Sequence, residues 1–310
     1  MDMAGLLRGP SRPVSLYRGK VRMLFCQALL NGILLGGIYA LYSAGFSLIF
    51  GVMGVVNIAH GELVMLGAFT TYWMFAILKL NPFLTLPFSL VGLFILGYCL
   101  QRLVINRVVG SPSIMSYILT FGLHLVIANL ALLAWTADPR DIVTPFSGSS
   151  FTFLGLIVPY IKLISFGLSL AVISALYWLL HHSRMGRAIQ ATAQDLSMAR
   201  LTGVDVRRIF ALTFGLGAAI AGLAGSLVAM NTQVQPDMGL SYTIIAFCVV
   251  VLGGMGYMPG ALIGGLILGV VGSVTSVLLT AGWATAITFF LLYLMLVLRP
   301  SGIVGKGIVE

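Results

Sequence analysis

The chain reads as an all-α polytopic transmembrane helix bundle of about 8–10 spans, with one discontinuous helix near residues 45–60. Three observations predict this. Of the 310 residues 59% are hydrophobic and only 8% charged, and the mean hydropathy is +1.07. A soluble domain cannot bury that much apolar surface. The apolar runs are long and continuous rather than short and alternating, so they are helices and not barrel strands. The basic residues also cluster. All of the 17 except Lys79, Arg140 and Lys162 fall before the first apolar run, at Arg102 and Arg107, between His181 and Arg208, or after Leu298.

That asymmetry predicts a cytoplasmic N-terminus, 181–208 loop and C-terminus. It also accounts for the net charge of +9 without nucleic acid as a partner. Three parts follow: a basic N-terminal tail over 1–22, a membrane domain over 23–300, and a C-terminal tail over 301–310. The N-terminus is basic and then apolar but lacks a small-residue cleavage site, which predicts an uncleaved first span. Cys26, Cys99 and Cys248 sit in apolar runs without paired spacing and read as small buried hydrophobes.

Apolar runs place spans near 23–43, 61–79, 84–105, 113–135, 159–180, 209–230, 241–254, 260–280 and 282–298. Nine crossings put the termini on opposite sides. The stretch from Gly45 to Asn57 is therefore taken as a further, tilted crossing broken at Gly45 and at Gly51/Gly54, for about ten in all. Residues 136–159, with Pro139, Pro145 and a Gly-Ser-Ser turn, form the one sizeable external loop. Small residues recur every four positions at Gly32, Gly36, Ala40 and Ala44, and again at Gly217, Ala221, Gly225 and Ala229. Gly260/Gly264 and Gly265/Gly269 repeat the pattern. Such stripes let helix backbones approach closely in lipid.

Two segments carry chemistry. In the 181–208 loop, Asp195 is placed to cap a helix over 196–202, and Gly203 supplies the left-handed residue that ends it. A short capped helix between spans suits docking to a partner below the membrane. The second segment is Asn57-Ile-Ala-His-Gly-Glu62, the most polar element near the membrane interior. Intramembrane His and Glu usually face a cavity or pair with each other. Two readings stand: His60 and Glu62 cap the following helix, or Asn57, His60, Gly61 and Glu62 border a solute pathway. His124 reads as a bond to a neighbouring helix. No phosphate loop, His-Glu-x-x-His, paired Cys ligands or nucleophile elbow occurs, so no enzyme chemistry is predicted.

The run from Asn31 to Glu62 resembles the opening of the Liv-type permeases, membrane subunits of bacterial ABC importers for branched-chain amino acids. Gly186-Arg-Ala-Ile-Gln-Ala-Thr-Ala-Gln-Asp195, Val250-Val-Leu-Gly-Gly-Met-Gly256, Pro259-Gly-Ala-Leu-Ile-Gly-Gly265 and Leu298-Arg-Pro-Ser-Gly302 extend the resemblance. It implies that the 181–208 loop couples to an ATPase subunit through Gly186, Arg187, Asp195, Ser197, Met198, Ala199, Leu201 and Gly203. The family core Glu-Ala-Ala-x3-Gly stands here as Ser197-Met-Ala-Arg-Leu-Thr-Gly203, so Met198 and Leu201 replace a charged contact with apolar knobs. The implied partners are a second homologous permease, two ABC ATPase subunits that hold ATP and Mg, and a periplasmic or lipid-anchored substrate-binding protein. This chain itself is implied to hold no cofactor, and its place is the bacterial inner membrane. Importers of urea and short amides have similar permeases. From another class, a self-sufficient channel or secondary carrier is the alternative; the missing intramembrane acid chain, which a proton-driven carrier would need, and the 181–208 docking segment count against it.

Overall fold

In a computed structural model, residues 14–143, 148–153, 155–299 and 301–304 are described; Arg8, Arg12, Pro145 and Lys306 lie outside them. The first helix, α1 (Val14–Met53), runs 40 residues without a break. No proline interrupts it, and beyond Arg22 it carries no charge. It ends where Gly54 takes φ +64°, a conformation that glycine adopts without steric penalty. Of the breaks expected at Gly45 and Gly51/Gly54, the one at Gly54 is present, while a separate crossing over 45–57 is corrected. Gly45 and Gly51 use their missing side chains for close approach, to the Gly217 carbonyl and the Gly256 backbone, and stay helical. The discontinuity lies between Met53 and His60.

A non-helical stretch, 54–59, with a turn at 58–59, leads to α2 (His60–Leu78), then α3 (Leu86–Leu103) and α4 (Ser113–Trp135). The 136–159 loop holds a feature absent from the sequence reading, an antiparallel hairpin of β1 (Ser150–Phe153) and β2 (Leu156–Pro159). Helix α5 (Tyr160–His182) descends to two short helices, α6 (Arg184–Gln194) and α7 (Leu196–Leu201). The chain then returns through α8 (Val206–Asn231), α9 (Met238–Gly253), α10 (Met258–Leu278) and α11 (Ala281–Leu298). Among the described residues seven helices are long and apolar enough to cross a membrane, and α9 and α11 are shorter apolar helices.

The glycine stripes set the packing. Gly32 abuts the Gly269–Val270 backbone and Gly36 abuts Gly265–Leu266, so α1 and α10 run antiparallel along a seam with almost no side chains between them. Gly225 of α8 meets Val64 of α2, and Gly97 of α3 meets Ala218 of α8. In lipid, where apolar burial gives little drive, such backbone proximity supplies dispersion contact instead. Helix α8 is buried along nearly its whole length and forms the centre of the bundle.

The two ends can be told apart. Near the start of α1, the Gln27 side chain donates to the Ile157 carbonyl (2.7 Å) and accepts from its N–H (2.9 Å), which ties α1 to β2 at the hairpin end. The foot of α1 shares a groove with Gly110, the α6–α7 junction, Tyr257 and Ser301 at the loop end. There the Ile303 N–H also donates to the Leu252 carbonyl (2.9 Å). The 181–208 loop and the C-terminal segment share a face, as expected. The beginning of α1 does not: from Gln27 at the hairpin to Met53 at the loop end the helix covers about 40 Å. The described start of α1 and the C-terminal segment thus lie at opposite ends of the bundle. Parity is the reason, since residues 45–53 belong to α1 and make no further crossing.

Candidate functional site

The first turn of α2 packs against the first turns of α9 inside the bundle. The approach is close because both helices carry glycine there. A Cβ at Gly61 would run into the Gly239 carbonyl, and one at Gly239 would run into the Glu62 carboxylate. Thr243 of α9 stitches the two together. Its Oγ1 accepts from the Gly61 N–H (2.8 Å) and donates to the Ile58 carbonyl (2.9 Å). From α4, Thr120 Oγ1 reaches the Val56 carbonyl (3.2 Å) as well as its own Ser116 carbonyl (2.8 Å). The non-helical stretch thus borrows hydroxyls from two spans to satisfy backbone that helical bonds leave free.

The sequence-predicted pathway residues come together here, and all four are buried. Asn57 Oδ1 accepts from the Ala59 N–H (3.1 Å). His60 Nε2 donates to the Tyr42 carbonyl (2.9 Å), with its ring edge-on to Phe46. Glu62 is not a side-chain cap of its own helix. Its Oε1 accepts from His124 Nδ1 of α4 at 2.8 Å, while its carboxylate faces the start of α9. Sequence reasoning gave His124 a helix-to-helix bond but not its partner; the sole membrane acid in the chain was the signal that could have named it. Three atoms remain without partners in this buried junction: Asn57 Nδ2, His60 Nδ1 and Glu62 Oε2. A buried polar atom left without a partner costs about 1–3 kcal/mol, so three of them within six residues call for an explanation.

At the loop end, Ser183 caps α6 by accepting from the Gly186 N–H (2.8 Å). Gly186 is buried where a Cβ would strike the Leu179 and Leu180 carbonyls, and Arg187 reaches the His182 carbonyl (3.2 Å). Asp195 Oδ1 accepts from the Ser197 and Met198 N–H groups at 2.8 and 2.9 Å, fixing the start of α7. Gly203, at φ +85°, ends that turn. Ala199 points inward, Ser197 is exposed, and Met198 and Leu201 are 61% and 81% exposed. Helix α6 was not anticipated as a separate element. Its amphipathic spacing, with Gly186, Ile189 and Thr192 on the buried side, was the available signal.

A cavity of about 480 Å³ went unread in the sequence because five helices form it. It lies between α1, α5, α9, α10 and α11, where Asn31, Lys162, Ser241, Ser276, Thr285 and Thr288 interrupt an apolar wall. Ser241, Ile244 and Ile245 flank Thr243, so this cavity stands one helix face away from the α2–α9 junction. Among the described residues no His, Cys, Asp and Glu cluster suits a metal ion.

Over residues 28–298 the chain matches the protein family described as the branched-chain amino acid transport system permease component. It is 35% identical to the high-affinity branched-chain amino acid transport system permease protein LivH of Salmonella typhimurium, across 93% of this chain and 98% of that one. Similarity to BraD of Pseudomonas aeruginosa, named for the same kind of system, is 32% over 92% and 97%. A ribose import permease of Escherichia coli, RbsC, shares 29% identity over about half of each chain. No solved structure matches.

Proposed function

Because the chain belongs to the permease component family of branched-chain amino acid transport systems, we propose that it is the multi-pass inner-membrane permease subunit of a bacterial ABC importer for branched-chain or related small amino acids. In this reading it is not an enzyme. Two partner ATPase subunits hydrolyse ATP with Mg, a second permease completes the membrane unit, and a substrate-binding protein delivers the solute and sets most of its selectivity.

The observation that carries coupling is α7. Asp195 and Gly203 hold a rigid turn at the bundle's loop end, and that turn presents Met198 and Leu201 outward. Two apolar knobs on a preorganised turn fit a groove in a partner at little cost in ordering entropy. Reconstituted with its partners, a Met198→Asp/Leu201→Asp variant is expected to keep basal ATPase and lose substrate stimulation and uptake. Wild-type coupling in that variant would sink the reading.

The route is assigned to the junction of Asn57, His60, Gly61 and Glu62. Its three unpartnered polar atoms favour a polar solute passing between α2 and α9, with the structure holding that gap closed. The expected result is that Glu62→Gln lowers uptake per assembled complex. Unchanged specific uptake, with only the yield of complex reduced, would return these residues to a capping role.

A further inference from the structure

A cavity of about 570 Å³ lies at the loop end between the last turn of α3 and the first turn of α8. None of the roles above uses it. Its wall is strongly basic: Arg102 comes from α3, and Arg207 and Arg208 from α8, with Asp205 the one carboxylate among the lining residues. Among the described residues none of these arginines has a carboxylate within ion-pair distance, since the only such pair is Glu62 with His124. Asp205 is engaged instead with the backbone, its Oδ1 accepting from the Arg208 N–H (3.2 Å) at the N-cap of α8. The 26-residue α8 thus directs its positive end toward the cavity.

A second, independent feature points to a ligand. Gln101 lines the same cavity, is only 1% exposed, and neither its Nε2 nor its Oε1 has a hydrogen-bond partner. A buried amide with both ends unmade is expensive, and it stands where a second polar molecule would complete it. The amide can donate to an anionic oxygen and accept from a neighbouring hydroxyl.

We propose that this cavity binds the phosphate-bearing headgroup of an anionic phospholipid, with phosphatidylglycerol as the simplest case. Three guanidinium groups and the α8 terminus take the phosphate, and Gln101 takes the remaining polar atoms of the headgroup. Guanidinium suits phosphate through paired N–H donors. A lipid is favoured over a soluble phosphate by the surface beside the cavity. On α3, Val91, Ile95 and Leu103 are exposed apolar side chains leading down to Arg102. They offer a track for acyl chains whose headgroup is held at the loop end. The inference holds whichever solute the permease carries.

The test uses the full chain, purified alone and in complex with its ATPase subunits, then placed in nanodiscs of phosphatidylcholine with or without phosphatidylglycerol. Retained lipid is read by native mass spectrometry and stabilisation by thermal melting. Arg102→Ala is expected to weaken phosphatidylglycerol binding about tenfold, the loss of one charge-assisted contact. Arg107→Ala, which removes a charge outside the cavity, should leave binding unchanged. Gln101→Leu removes an unpaired buried amide, so it should melt no lower than wild type in phosphatidylcholine yet gain less from phosphatidylglycerol. A fold defect cannot produce that pattern. Equal retention by wild type and both cavity variants would overturn the proposal. Displacement of the lipid by inorganic phosphate would reassign the site to a soluble anion and overturn the lipid assignment. Loss of the lipid on adding ATPase subunits would show a protein dock there, and would overturn it too.

Discussion

Between Met53 and His60 the chain runs without helical bonds through the interior of the bundle, whereas between Asn231 and Met238 it does so at the hairpin end, half in the open. The inner stretch has its carbonyls satisfied one at a time by hydroxyls from other spans, Thr120 at Val56 and Thr243 at Ile58. The outer stretch uses backbone instead. Arg140 and Val234 exchange both of their bonds, at 3.0 and 2.8 Å, and Gln233 reaches the Asp141 carboxylate (3.2 Å). The difference teaches where sensitivity lies. An exposed break can replace a lost partner with water, while a buried one holds an orphan whenever a side chain is removed.

The sharpest way to break this contrast is Gly61→Leu, which drives a side chain into the Gly239 carbonyl and Thr243. A loss of about 3 kcal/mol or more is expected, seen as collapse of monodisperse protein in size exclusion. Normal yield would show that the inner junction is looser than its geometry states. Next comes His124→Leu, which strips the partner from a buried Glu62 and should lower stability by about 3 kcal/mol. Glu62→Gln keeps a group able to bond and should cost less, so the two melting curves should separate. Thr243→Val removes two bonds at once and should cost about 2 kcal/mol. At the outer break, Arg140→Ala loses the Tyr72 and Trp73 faces, about 1 kcal/mol. Arg140→Ala melting below Thr243→Val would reverse the comparison. The smallest effect belongs to the loop end. Asp195→Ala should cost about 1 kcal/mol, yet its coupling between substrate and ATPase should fall much further than its melting temperature.

What the sequence made legible follows from the range of the forces involved. The cap at Asp195 and the stop at Gly203 are local, decided within six or seven residues, and the structure reproduces both. The glycine stripes told which faces approach, though not which helix answers which; Gly32 with Gly269 is a pairing across the whole chain. Gly45 and Gly51 show the ambiguity of glycine in a membrane. It permits a break and it permits close packing, and only the partner backbone decides. That single misassignment also changes the parity of the crossings, because a crossing count carries every local error to the end of the chain. The Glu62–His124 pair and both the polar cavity and the basic one are properties of several helices together, so no one stretch of sequence announces them.

Helix α1 has one more implication. It touches the hairpin through Gln27 and the loop-end groove through its last turn, and no positive-φ residue or proline bends it between those points. Such an element offers no local hinge, so a displacement at either end has no break in the helix at which to be taken up. Along α10 it meets the glycine seam, where backbone meets backbone and Ser273 Oγ donates to the Ala28 carbonyl (2.8 Å). A methyl group added at Gly36 would meet the Gly265 carbonyl at 2.8 Å, and would wedge the two helices apart where their backbones now touch.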